Sequence, residues 1–302
     1  MSSTLRVGTF TRSLLLALAR SDGALARAGL EVDEVSVTSS PGQFASLEAG
    51  EFDVVVTSPD NVLAYRFLAN NPLGRNLPVE IICALDRGLG LTLALAPTTT
   101  SVEDVRGRAF GVDVAQSGFA FVGYALLERA GLVPGDYEVV ALGSTPRRAQ
   151  ALAAGQCAAT ILNAGNDQRA LGAGCTLVAS VDTLGPYLGG VLAALKTDDA
   201  EARLARERFA DALVETARSV LDGRRESDVV DAAMAVLDLT ESEARAHYRT
   251  LIDPTNGLIA DGRVDRASVA TLVDLRRRFL PAPELDAILD SLGEVVLARA
   301  LG

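Results

Sequence analysis

One order of apolar runs, helix-like stretches and glycines occurs twice in this chain, and it restricts the fold more than any other feature. The first copy reads as a strand at 5–10, a helix at 13–28, the triplet Ala28-Gly29-Leu30 and a strand at 32–37. A polar turn at 38–42, a short helix at 44–49, Gly50 and an apolar strand at 52–56 complete it. Residues 109–162 repeat the order: strand 109–114, helix 118–129, Ala130-Gly131-Leu132, strand 137–142, turn 143–146, helix 147–154, Gly155 and strand 158–162. Apolar residues such as Leu14, Leu15, Leu18 and Leu25 fall near the 3.6-residue spacing of a helix. Gly29 and Gly131 stand where a helix needs a left-handed C-terminal residue.

A βαβαβ unit used twice implies two mainly parallel sheets flanked by helices, because parallel strands need covering crossovers on both faces. Right-handed crossovers leave the strand C-termini along one edge of each sheet, the edge where open α/β sheets bind ligands. Two such edges facing each other make a cleft. Between the units, residues 79–96 read as two apolar runs interrupted by Asp86-Arg87-Gly88-Leu89-Gly90, and Pro97 with the Thr-rich stretch after it reads as a crossing. Tyr187-Leu188-Gly189-Gly190-Val191 reads as the return. Residues 1–96 with 190–302 are therefore expected to form a discontinuous first lobe and 97–189 a second, with a hinge near 95–98 and 187–191. From about Asp198 the chain is strongly helical, expected to lie back on the first lobe.

Composition narrows the partners. Of 302 residues, 49 % are hydrophobic and 22 % charged, enough for an ordinary core, and the formal net charge is −11. That acidity disfavours a phosphate backbone, so nucleic acid is not an expected partner. The apolar run at 14–18 is too short to span a bilayer, so membrane insertion is not expected. Three cysteines, Cys83, Cys157 and Cys175, include no Cys-x-x-Cys pair and read as buried core thiols. His247 is the single histidine, so neither a metal nor a cofactor is expected. The first strand begins close to Met1 with no leader ahead of it, which predicts a cytoplasmic protein, or one of the cell envelope if the native chain carries a leader.

The segments Leu5-Arg6-Val7-Gly8, Gly50-Glu51-Phe52-Asp53-Val54, Val56-Thr57-Ser58-Pro59-Asp60-Asn61 and 106–112, with Gln116-Ser117-Gly118-Phe119, resemble the substrate-binding proteins of ABC transporters in the sulfonate/taurine and thiamine-precursor group, the NMT1/THI5-like group. The resemblance covers nearly the whole chain through order and spacing. It implies a two-lobed α/β fold of the type II periplasmic-binding-protein kind, a small-molecule ligand and, for an exported protein, an ABC permease as partner. Arg87-Gly88-Leu89-Gly90 is also similar to a segment of the aryl-sulfinate desulfinases, but the nucleophilic cysteine and the histidine of those enzymes have no counterpart here.

Candidate ligand contacts lie at the predicted strand ends. Gln116, Ser117, Gly118 and Phe119 open a helix whose free N–H groups suit an anion, or form an ordinary cap. Thr57, Ser58, Asp60 and Asn61 follow a strand and either face the cleft or cap the next helix. Ser40 and Gln43, Phe10, Thr11 and Arg12, and Asn163 with Asn166 close other strands, and Tyr187 lies at the return crossing. Arg87 can fork onto an anionic group or pair with Asp60 or Asp86. His247 and the Arg276-Arg277-Arg278 run read as a structural or surface histidine away from the cleft and a solvated helix face. The expected function is capture of a small polar or anionic organic molecule by hinge closure. The alternative is a cofactor-independent cytoplasmic lyase, decarboxylase or isomerase using groups such as Asp60 and Arg87.

Overall fold

The computed structural model describes residues 3–302; the first two residues assigned to the first lobe lie outside them. The first unit contains β1 (Ser3–Thr9), α1 (Leu14–Ser21), α2 (Ala24–Arg27), β2 (Leu30–Ser36), α3 (Ser40–Glu48), β3 (Val54–Thr57), α4 (Pro59–Phe67) and β4 (Val79–Asp86). The second contains β5 (Thr92–Leu95), β6 (Ala109–Val112), α5 (Gly118–Arg129), β7 (Glu138–Ala141), α6 (Thr145–Ala153), β8 (Ala159–Leu162), α7 (Asn166–Gly172) and β9 (Thr176–Ser180). The return strand is β10 (Gly190–Leu195), followed by α8 (Ala200–Leu221), α9 (Glu226–Leu237), α10 (Glu241–Leu251) and α11 (Arg266–Phe279).

The strands form two five-stranded sheets of identical plan, β2-β1-β3-β10-β4 and β7-β6-β8-β5-β9. In each, four strands run in one direction, and the strand contributed across the lobe boundary, β10 or β5, is antiparallel to both neighbours. The internal repeat of the sequence is thus a repeat of topology. Gly29 and Gly131 both adopt the left-handed conformation that ends the preceding helix, at φ 69° and 91°.

Three expectations need correction. The first crossing is not at 95–98: β5 pairs with β8 and β9, so Thr92–Leu95 already belongs to the second sheet and the chain crosses at 87–91. The return occupies 181–189. Both crossings meet at Gly189, where a Cβ would come 2.2 Å from the Gly88 nitrogen and 2.4 Å from an Asp86 carboxylate oxygen. The helix expected at 13–28 is broken by Asp22 and Gly23 into α1 and α2, and α3 begins at Ser40, inside the expected turn. The C-terminal helices do not lie on the first lobe alone. α8 and α9 pack there, but α10 also meets α7, and α11 bridges α4 and α5.

That bridge also corrects the solvated helix face expected at 276–278. Arg276 is 3 % exposed, not solvated. Its Nε and Nη2 donate to Asp60 Oδ1 and Oδ2 at 2.8 and 2.6 Å, and Nη2 also to the Gln116 carbonyl at 3.2 Å. Arg277 and Arg278 do remain exposed. Asp60 is 2 % exposed and sits under Gly118, where a Cβ would approach its own Cβ to 2.6 Å. The pair therefore lies at the seam of the lobes.

Candidate functional site

The C-terminal ends of β1, β3, β6, β7 and β8 face one another, and the loops that follow them enclose a cavity of about 160 Å³. Of the expected contacts, Phe10, Thr11, Arg12, Thr57, Ser58, Asn61, Ser117, Gly118, Phe119 and Asn163 line it. The hydroxyls and amides divide between internal and free roles. Asn61 donates to Thr57 Oγ1 at 3.2 Å, Asn163 to the Gly88 carbonyl at 2.9 Å, and Ser117 Oγ accepts from the Ala120 N–H at 3.2 Å as an N-cap. The buried Ser58 Oγ has no protein partner. With Ala120 capped, the N–H groups of Gly118 and Phe119, two residues that line the cavity, have no carbonyl behind them in the helix.

Seven expected contacts do not line this cavity. Asp60 is committed to Arg276, and Gln116 is exposed with its carbonyl bonded to the same arginine. Ser40 donates through N and Oγ to Asp113 Oδ2 at 3.1 and 2.7 Å, joining the lobes. Gln43 is held under the first sheet, donating to the Gly8 and Val56 carbonyls. Arg87 lies in the crossing, where its N–H bonds the Gly257 carbonyl at 2.9 Å, and Tyr187 is buried behind Gly88. Asp60 and Arg87 therefore offer no acid/base pair. Asn166 lines an adjoining hollow of about 240 Å³ and donates to Thr11 Oγ1 at 3.2 Å across the seam.

The residues missed from sequence are the more informative ones. Arg148, on α6, lines the cavity and is 2 % exposed. Its guanidinium donates to the Gly143 carbonyl at 2.7 Å, to Thr145 Oγ1 at 3.1 Å and to the Ile161 carbonyl at 3.1 Å. These are all neutral acceptors, and Nε has no partner. Burial pushes its pKa down to about 10 against the partial support of Asp113. Asp113 also lines the cavity, with Oδ1 buried and unpartnered. Asp86 is pushed up to about 6 by burial, although the Gly88 and Gly190 N–H groups bond its carboxylate.

His247 is 1 % exposed and lines the same cavity, contrary to the expectation that it lies away from the cleft. The three cysteines are buried, and none lines the cavity. Among the described residues no cluster of His, Cys, Asp or Glu is arranged to hold a metal ion, and no helix is long and apolar enough to cross a membrane.

A sequence-family model described as "ABC transporter, phosphonate, periplasmic substrate-binding protein" matches residues 25–239. No curated protein matches the chain. Among solved structures, the alkanesulfonate-binding protein SsuA from Xanthomonas axonopodis pv. citri, bound to MOPS, is similar with a TM-score of 0.74 at 16 % identity, over 99 % of this chain and 98 % of that one. The periplasmic nitrate-binding protein NrtA from Synechocystis PCC 6803 gives 0.75 at 13 %, over 98 % and 86 %. A Candida albicans gene product described as exhibiting the generic periplasmic binding protein fold gives 0.74 at 16 %, over 99 % and 97 %. At such identities the likeness is one of fold, and it agrees with the two-sheet plan.

Proposed function

The chain belongs to the phosphonate periplasmic substrate-binding family of ABC transporters, and from that premise we propose that its cleft captures a small organic anion whose charged head sits against Arg148. One observation carries the reading: a buried guanidinium bonded only to neutral oxygens, with Nε free. Burying a charge without a direct ion pair is costly, and an anionic head in the cavity adds the counter-charge that Asp113 supplies only in part. Ser58 Oγ from the first lobe and the N-terminus of α5 from the second add donors to the cavity lining. A tetrahedral phosphonate or sulfonate group presents enough oxygens to meet a planar fork and flanking N–H groups together.

The finer likeness to the sulfonate/taurine and thiamine-precursor group, which rests on 5–8, 50–54, 56–61, 106–112 and 116–119, supports an organic rather than an inorganic anion. Capture proceeds by closure of the lobes about 87–91 and 181–189, and an ABC permease at the cell envelope is the partner that receives the ligand. The family match favours capture over a lyase, decarboxylase or isomerase. The test is calorimetry with methylphosphonate and methanesulfonate. Arg148→Met should weaken whichever binds by about 10- to 100-fold, the worth of a charge-assisted hydrogen bond. Undiminished affinity in that variant, with the fold intact by circular dichroism, removes Arg148 from the site and the proposal with it.

A further inference from the structure

The cavity does not end at the polar strand-end loops. It continues into the helical layer of the first lobe, where Leu14, Leu15 and Leu18 of α1, Leu237 of α9 and Leu251 of α10 form its wall. These belong to one contiguous apolar cluster in which α9 packs on both α1 and α10. At this apolar end stands His247, one helical turn before Leu251 on the same face of α10. Nothing among the described residues hydrogen-bonds either ring nitrogen, and Nδ1 is fully buried. Burial holds the pKa down at about 4, so the ring is neutral at physiological pH, with one N–H to give and one lone pair to fill.

We infer that this arm is a second subsite, for the apolar body of the captured anion, and that His247 recognises a hydroxyl at the tip of that body. The inference rests on the anion reading above, which places the charged head at Arg148 in the other lobe. Size favours a compact ligand: a leucine-lined cavity of about 150 Å³ holds benzene, and the whole cavity here, head region and arm together, is about 160 Å³. Chemistry selects the tip. A purely apolar tail leaves the imidazole unpaired, and a second charge would itself be desolvated among the leucines. A hydroxyl both donates and accepts, so it satisfies whichever nitrogen faces it. The ligand class is therefore a hydroxylated aryl or short alkyl phosphonate or sulfonate.

Isothermal calorimetry with methanesulfonate, benzenesulfonate and 4-hydroxybenzenesulfonate separates the two subsites. Adding the ring should tighten binding on the order of a hundredfold, and adding the hydroxyl about a further fivefold. In His247→Leu the ratio between the two aryl probes should fall to about one. In Leu251→Phe, which fills the arm, the ratio between benzenesulfonate and methanesulfonate should collapse, and circular dichroism checks that variant's fold. Arg148→Met should weaken all three probes alike. Aryl and methyl probes binding within about threefold of each other, with the Arg148 effect intact, overturn the arm alone. A hydroxyl increment that survives His247→Leu overturns the role of His247. No binding of any probe removes the anion reading and this inference together.

Discussion

Breaking the Asp60–Arg276 pair should destabilise the chain far more than breaking any other ion pair in it. Both partners are almost fully buried, at 2 % and 3 %, and the guanidinium engages both carboxylate oxygens, at 2.8 and 2.6 Å. It also lies 4.9 Å from the ring centre of Phe121. Arg276→Met would leave Asp60 buried beneath Gly118 with no cation, and Asp60→Leu would leave the guanidinium with only the Gln116 carbonyl. Each change should cost about 3–5 kcal/mol, the penalty of an orphaned buried charge. That is a large part of a typical 5–15 kcal/mol stability. Replacing both with apolar residues removes both charges together, so the double variant should come back to within about 2 kcal/mol of the parent. The assay is urea unfolding followed by circular dichroism on the four proteins, with the coupling taken from the double-mutant cycle. Single variants costing under about 1 kcal/mol, as exposed ion pairs do, would refute the burial argument. Strict additivity would do the same.

Two further outcomes follow from the geometry. Closure about 87–91 and 181–189 should appear in small-angle scattering as a smaller radius of gyration with saturating methanesulfonate or methylphosphonate, whichever calorimetry shows to bind; an unchanged radius on saturation would exclude the hinge. His247 titrates near 6.5 in the unfolded chain and at about 4 when folded, so its contribution to stability is complete above pH 6.5 and is lost as pH falls toward 4. The loss approaches about 3 kcal/mol at the lower end, and His247→Leu should lack this part of the acid slope; coincident pH–stability profiles for the two proteins would contradict it.

The repeat made most of the fold legible, because each strand, helix and capping glycine of a βαβαβ unit leaves a local mark. The first crossing left a misleading one. Val79–Asp86 and Thr92–Leu95 are apolar runs separated by Arg87-Gly88-Leu89-Gly90, which looks the same whether the chain turns back in one sheet or passes into another. Only the partners decide it, and β5 finds them in β8 and β9, encoded some seventy residues further along. The strand-end rule was the better guide to the site. It placed ten of the seventeen expected contacts around one cavity, since the ends of parallel strands are fixed by the topology. It failed for Ser40, Gln43 and Asp60, whose side chains are taken up by bonds to partners distant in sequence.

Arg148, His247 and Arg276, which were missed or misread, share a feature that the sequence does carry. On α6 the buried positions are Thr145, Arg148, Ala149, Ala151 and Leu152; on α10 they are Ala244, His247, Tyr248 and Leu251; on α11 Arg276 follows Val269, Leu272, Val273 and Leu275. Each polar residue stands on the apolar stripe of an amphipathic helix, three or four residues from apolar neighbours. Composition alone suggests solvent for an arginine or a histidine, whereas the 3.6-residue period assigns these three to the interior. A buried polar side chain must then find a partner or await one. Arg276 finds Asp60 and closes the seam between the lobes. Arg148 finds only neutral oxygens and His247 finds nothing. Of these three, the two with unmet polar atoms line the cavity from opposite lobes, together with the unmet Ser58 Oγ and Asp113 Oδ1, so the same physical deficit that made them hard to place marks where a ligand's charged head and hydroxyl would complete the structure.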